Sequence, residues 1–266
     1  MPLPNFLIVG SQKSGTSWLH RSLGRSKHIF ASQVKELNFF NQTDFDAPEK
    51  LAAFREHFPK QDLPGVEYYL ESTPHYFRAR PTTARNIRSL LGSPEMVAVF
   101  RHPVDRYESA YIHHMMRGRF PYTPVIDELT DEYSVLSLGR YAEALESWWS
   151  IHPQLKPMLY DDLLRDPLGF VTEVMDHLGL TSDITMDDVT FRANDKTRKK
   201  SRLGSEWEEM PSLDPGLRHR LQEEYAEDTR RLEDLLGRDL RAWQEGVAGG
   251  GGQPVTATVG SRAQEL

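Results

Sequence analysis

The chain has 266 residues, 38% of them hydrophobic, enough to bury one core of α/β size. A net charge of −7 excludes a general nucleic-acid binder, whose surface would be basic, and the lack of cysteine excludes disulfides and thiolate metal sites. The opening Met-Pro-Leu-Pro-Asn has neither a basic segment nor a long apolar run, so no signal peptide or membrane anchor is expected, and a cytoplasmic protein is.

Phe6 to Val9 reads as a short buried strand, and Thr16 to Leu23 opens a helix with Trp18, Leu19 and Leu23 on one side. Between them lies a loop of Gly, Ser and Lys. Strand, glycine loop and helix start form the geometry that cradles phosphate, because main-chain N–H groups turn inward and the helix dipole favours an anion. Gly15 lets the backbone come close, Lys13 adds a positive charge, and Thr16 and Ser17 add hydroxyls. The spacing Gly10-x-x-x-x-Gly15 is that of a Walker loop, yet Thr16 stands where an NTPase needs lysine. The lysine has moved to position 13, where it can bridge a terminal phosphate and a group leaving from it. A plain turn before an amphipathic helix would need neither the lysine nor the paired hydroxyls.

His28 to Ser32 reads as a second strand, followed by Val34-Lys-Glu-Leu-Asn-Phe-Phe40 and a loop at Asn41 and Gln42. Leu51, Phe54 and Phe58 give Pro48 to Phe58 a helical spacing. Val66 to Leu70 is a strand that ends in Glu71-Ser-Thr-Pro-His-Tyr-Phe77, and Pro81 to Leu91 is a helix stopped by Gly92. Met96 to Phe100 is a clear strand, delivering Arg101 to a helix that starts at Pro103. Gly118 to Glu132 is polar and loop-like, a mobile cover. Gly139 to Trp149 is a helix, Leu155 to Tyr160 the last core strand, and Pro167 to Leu178 a helix ended by Gly179. Lys196-Thr-Arg-Lys-Lys-Ser-Arg202 concentrates positive charge, which by itself reads as a solvated loop. Leu213 to Leu236 is a long amphipathic helix. Strands alternating with helices predict a central parallel sheet with right-handed crossovers, one domain over 1–245, and a disordered Gly-rich tail over 246–266.

A Walker NTPase holds Mg²⁺ with a carboxylate at the end of a core strand. Here Met96–Phe100 ends in Arg101, so the reading is a nucleotide bound without a metal, its phosphates met by Arg and Lys. Arg101 and Ser109, eight residues apart across a strand-to-helix turn, are placed for a second phosphate; taken singly, each also reads as a salt-bridging arginine and a helix-surface serine.

These residues resemble a family. Gln12-Lys-Ser-Gly-Thr-Ser-Trp18 is similar to the 5′-phosphosulfate loop of the PAPS-dependent sulfotransferases, and Arg101-His-Pro-Val-Asp-Arg-Tyr-Glu-Ser109 to their 3′-phosphate motif. Lys35-Glu-Leu-Asn-Phe-Phe40 resembles the Lys-Glu-x-x-Phe-Phe segment of the carbohydrate (heparan-type) branch, and Tyr160-Asp-Asp-Leu with Asp166-Pro matches the common core. The resemblance runs from about Phe6 to Trp243. It implies a three-layer, P-loop-like α/β fold with a central parallel sheet flanked by helices. The implied donor is 3′-phosphoadenosine 5′-phosphosulfate, leaving adenosine 3′,5′-bisphosphate. Carried over, Gln12, Lys13, Ser14, Gly15, Thr16 and Ser17 surround the 5′-phosphate, Arg101 and Ser109 hold the 3′-phosphate, and Trp18 stacks on the adenine. Arg198 or Lys199 of the basic loop contacts the 3′-phosphate, although no clear Arg-Lys-Gly or Lys-Gly-Arg motif stands there. The chain also has Ser72 where heparan-type enzymes usually have lysine.

Sulfonate transfer builds charge on the bridging oxygen that leaves, which Lys13 can neutralise, and it needs a base for the acceptor's proton. Glu36, followed by aromatic residues, is the first choice and His75 the second. The expected acceptor is a small metabolite or a glycan, and a lipid would also suit a pocket lined by Phe39, Phe40, Tyr76 and Tyr111. Two other classes fit the loop: a phosphotransferase or nucleotide kinase, and a nucleotide-binding protein without turnover.

Overall fold

Phe6–Gly10 forms strand β1, buried along its whole length, because it lies in the middle of a parallel sheet covered on both faces. The computed structural model describes residues 2–78, 81–191, 207 and 209–244. The basic loop 196–202, with Arg198 and Lys199, and the tail 246–266 lie outside them. The glycine loop leads into α1 (Thr16–Leu23), then β2 (Ile29–Ala31), α2 (Pro48–Arg55), β3 (Tyr68–Ser72), α3 (Pro81–Leu91), β4 (Glu95–Phe100) and α4 (Pro103–Met116). After the two-residue β5 (Val125–Ile126) come α5 (Tyr141–Trp149), β6 (Lys156–Leu159), α6 (Tyr160–Arg165), α7 (Pro167–His177) and α8 (Met186–Val189). The two-residue β7 (Ser212–Leu213), α9 (Pro215–Leu236) and α10 (Arg241–Gln244) complete it.

The five main strands are all parallel, in the order β2-β3-β1-β4-β6, with Leu7 opposite both Glu71 and Met96, and Val99 opposite Met158. Alternation along β1 sends its side chains to opposite layers. Leu7 and Val9 join Phe77, Phe100, Tyr141, Trp148 and Trp243, whereas Phe6 and Ile8 join Trp18, Leu19, Phe170 and Val174. Helices α5 and α10 therefore cover one face, and α1 and α7 the other. A third cluster packs α4 against α9 through Tyr107, Ile112, Leu217, Leu221 and Tyr225.

From β1 the chain departs to the β2 edge, and from β4 it departs to the β6 edge. The carboxyl ends of these two neighbours are a topological switch point, where open α/β sheets leave a crevice for ligand. The glycine loop and Arg101 both emerge there.

Three expectations need correction. The segment 118–132 is not a loose cover. Phe120 and Ile126 are buried, β5 pairs with β7, and the Tyr107 hydroxyl donates to the Glu128 carbonyl and accepts the Thr130 N–H. Tyr160 does not end the last core strand but starts α6. Strand β3 runs on through Glu71 and Ser72, both buried, rather than stopping at the first charge.

Candidate functional site

Two close approaches shape the loop after β1. A Cβ on Gly10 would lie 2.2 Å from the Cβ of Phe77, and one on Gly15, whose φ is +84°, would meet the Tyr160 ring at 2.9 Å. Packing therefore demands glycine at both positions, and the backbone demands it at Gly15 as well. Ser11 fastens the loop to β4: its N–H and its hydroxyl each reach the Val99 carbonyl at 2.9 Å. Its Oγ also lies 2.7 Å from that of Ser14. Helix α1 starts at Thr16 with no side-chain cap, so the N–H groups of its first turn are presented to the loop. Such an end attracts anions.

Cations converge on it. Arg101 turns from the end of β4 toward the loop, its Nη1 donating to the Lys13 carbonyl at 3.4 Å and its guanidinium 5.3 Å from the centre of the Tyr160 ring. Lys35 Nζ lies 3.4 Å from Thr16 Oγ1 and 3.2 Å from Glu36 Oε1, joining the helix start to the carboxylate expected to act as base. Ser109 is buried two turns along α4 from Arg101.

Glu36 sits in a left-handed turn, with a φ of 66°, and its side chain is 44% exposed, beside the ammonium of Lys35. His75 is the other expected base. Its Nε2 stands 3.2 Å from the side-chain amide of Gln12, within hydrogen-bonding distance of the loop. Burial pushes His75 below its ordinary value, against the opposing pull of Glu36, so it is neutral at neutral pH. The two candidates and the loop thus share one mouth.

Three residues at this mouth were not expected. Lys35 was visible as half of a Lys-Glu pair but not assigned. His114, on α4, is buried and pushed down to about 4, by burial first and then by Arg119, His75 and Lys13. Glu71 lies wholly buried at the end of β3, where burial raises its carboxyl to about 7 against hydrogen bonding from Thr73.

The expected aromatic pocket is not formed by the residues named for it. Phe39, Phe40 and Tyr76 belong to the core: Phe39 stacks on Phe54 at 4.0 Å, and the Tyr76 hydroxyl accepts the N–H groups of Phe39 and Phe40 at 3.0 and 3.4 Å. Tyr111 is buried against Phe120, 4.4 Å between ring centres. Phe39, Phe40 and Tyr76 thus anchor the segment after Glu36 in the core, and Tyr111 packs between α4 and the 118–132 segment, instead of facing a ligand. Trp18 is 9% exposed, its indole stacked on Phe191 and donating to the Val189 carbonyl at 3.3 Å. A separate cavity of about 470 Å³ follows the turn that carries His75 and is polar, with Arg78, Asp131, Ser137, Arg140 and Glu143 among its walls. Among the described residues no group of three or more His, Asp or Glu side chains is placed to hold a metal ion, and no helix is long and apolar enough to cross a membrane.

Comparison with known proteins gives a consistent result. A family model described as "Sulfotransferase domain" matches residues 3–233. The bifunctional heparan sulfate N-deacetylase/N-sulfotransferase 1 of Homo sapiens is 26% identical over 274 residues, covering 90% of this chain and 30% of that protein. The chain spans less than a third of the length of the curated relatives it matches. Among solved structures, a sulfotransferase from Alicyclobacillus acidocaldarius superposes with a TM-score of 0.68 at 24% identity, over 92% of this chain and all of that one. The sulfotransferase domain of the curacin biosynthetic pathway follows with 0.54 at 14%, over 90% and 100%.

Proposed function

The chain belongs to the sulfotransferase family, and from that premise we propose that it moves a sulfonate group from 3′-phosphoadenosine 5′-phosphosulfate to a hydroxyl or amine of a polar acceptor, a glycan or a small metabolite. The observation that carries the choice of donor is the placing of Arg101 at the switch point: its guanidinium donates to the main-chain carbonyl of Lys13, at the strand end where a Walker NTPase would place a carboxylate for Mg²⁺. A metal-dependent phosphotransferase is not favoured on that arrangement. The uncapped start of α1 and the glycines at 10 and 15 suit the 5′-phosphate, with Gln12, Ser14, Thr16 and Ser17 around it. Arg101 and Ser109 serve the 3′-phosphate, and Phe191, stacked on Trp18, adds a second aromatic where the adenine is expected. We assign the whole activity to one domain over 1–245, and the cysteine-free composition suits a reducing cytoplasm.

In the reaction the acceptor's oxygen or nitrogen attacks sulfur, the bond from sulfur to the bridging 5′-phosphate oxygen breaks, and the acceptor's proton goes to a base. Lys13 neutralises the charge that grows on the leaving oxygen. Glu36 takes the proton, oriented by its turn and by Lys35. His75 is the second candidate, favoured by the burial that lowers its pKa and keeps the imidazole neutral.

The test is discrimination between adenosine 3′,5′-bisphosphate and 5′-AMP, measured by calorimetry. A guanidinium deprived of its phosphate loses charge-assisted hydrogen bonds worth about 1.5–3 kcal/mol each, so the wild type should prefer the bisphosphate by roughly tenfold or more. Arg101→Ala should erase most of that preference and leave 5′-AMP binding nearly unchanged. Equal affinity for both nucleotides in the wild type would defeat this donor assignment.

A further inference from the structure

We propose that Glu71 is a positioning residue, a buried carboxyl that orients the Thr73 hydroxyl so that this hydroxyl latches the turn carrying Glu36. Its catalytic consequence rests on the reading of Glu36 as the base. Glu71 lies inside the sheet, opposite Leu7 of β1, with no exposure, a place where leucine would be far less costly than a carboxylate. Its Oε1 accepts the Thr73 hydroxyl at 2.5 Å, and the main-chain N–H of Leu37, within the same turn, also reaches the carboxyl.

A threonine hydroxyl has one proton. Thr73 gives it to Glu71, which leaves only lone pairs for the main-chain N–H of Asn38, 3.2 Å away. The N–H of Glu36 donates to the Ser72 carbonyl at 2.9 Å, and Asn38 Nδ2 donates to the Glu36 carbonyl at 2.7 Å. Between these tethers Glu36 and Asn38 both take the left-handed conformation, with φ of 66° and 52°. Asparagine takes that conformation readily, but a glutamate holds it only when its surroundings impose it. Thr73 is the tether at one end of the turn, and Glu71 sets the sense of its hydroxyl. The charged groups around Glu71 are Lys35 and Glu36 of the same turn, so no outside ion pair explains its presence.

The experiment compares Thr73→Val, Thr73→Ser and Glu71→Gln by steady-state kinetics and by deuterium exchange of the Asn38 amide. Thr73→Val should lower kcat about tenfold or more, leave affinity for adenosine 3′,5′-bisphosphate unchanged, and speed Asn38 exchange at least tenfold. Thr73→Ser should restore both, and Glu71→Gln, whose amide oxygen still accepts the hydroxyl, should keep Asn38 protected. Glu71→Leu, if it folds, should expose Asn38 as Thr73→Val does. In a Glu36→Gln background Thr73→Val should cost no further activity. Unchanged Asn38 exchange in Thr73→Val would overturn the latch, and so would an equal loss of kcat in both backgrounds. Rapid Asn38 exchange in Thr73→Val together with a fully active Glu36→Gln would support the latch and sink Glu36 as the base.

Discussion

Glu71→Gln should make the protein more stable above pH 7 and change little in acid. Burial raises the carboxyl from 4.5 to about 7, so between those values the folded chain keeps a proton that the unfolded chain has released. The wild type therefore has this stabilisation in acid and loses it as pH rises through 7. A rise of that size corresponds to about 3 kcal/mol in full, of which about 2–3 kcal/mol falls between pH 5 and pH 8. Glutamine does not titrate, so urea unfolding of the two proteins at both pH values isolates the effect. In a chain of this length the gain at pH 8 should raise Tm by roughly 4–12 °C relative to the gain at pH 5. His20 acts in the opposite sense: burial lowers it from 6.5 to about 4, so its contribution is lost as pH falls from 6.5 toward 4. The two offset one another in the wild type, and the difference between variant and wild type is the informative quantity. A stability difference that stayed constant from pH 5 to pH 8 would refute the reasoning, because Glu71 would then titrate alike in both states.

Lys13→Ala should cost roughly 2.7–4 kcal/mol of transition-state stabilisation, a fall of about 10²–10³ in kcat, if it matches removal of an oxyanion donor. A near-normal kcat would remove Lys13 from the chemistry. Glu36→Gln should lower kcat by about 10²–10⁴ while adenosine 3′,5′-bisphosphate binds as before; if His75→Asn abolishes turnover and Glu36→Gln does not, the histidine is the base. Truncation after Glu245 should leave melting temperature and activity intact, since the Gly-rich residues beyond it have little apolar area to bury. A drop of several degrees would show that the tail docks.

The phosphate loop was legible because its requirements are local: an apolar strand, two glycines at fixed spacing, and hydroxyls at a helix start. Arg101 was legible as a cation standing where a carboxylate belongs. The family assignment read from those motifs agrees with the family match, and the main sheet is parallel as expected. Glu71 was not legible. A charge after an apolar run reads as the exit to solvent, and only the place of β3 beside β1, fixed by distant strands, buries it. The Phe39–Phe40 pair failed for a related reason. A ligand pocket and a core both call for aromatics, and nothing in the local pattern says that Phe54 will cover them. Residues 196–202 lie outside the described residues, so the expectation for Arg198 and Lys199 rests on the sequence.

The contact between Gly10 and Phe77 works as a gauge. The Phe77 N–H reaches the Val9 carbonyl at 2.8 Å, and two residues beyond the contact on one segment and two before it on the other, Gln12 meets His75 at 3.2 Å. The obstacle to any side chain at position 10 is the Cβ of Phe77, an atom shared by every residue but glycine, so no change of residue type at 77 other than to glycine makes room. A methyl group there would force the segments apart by about 1 Å, the scale of misplacement that costs a reaction some two decades of rate. The separation between the Gln12 side and the His75 side of the mouth is thus set by an atom the chain does not have. It is a tolerance that compensating mutations elsewhere in the core cannot reset.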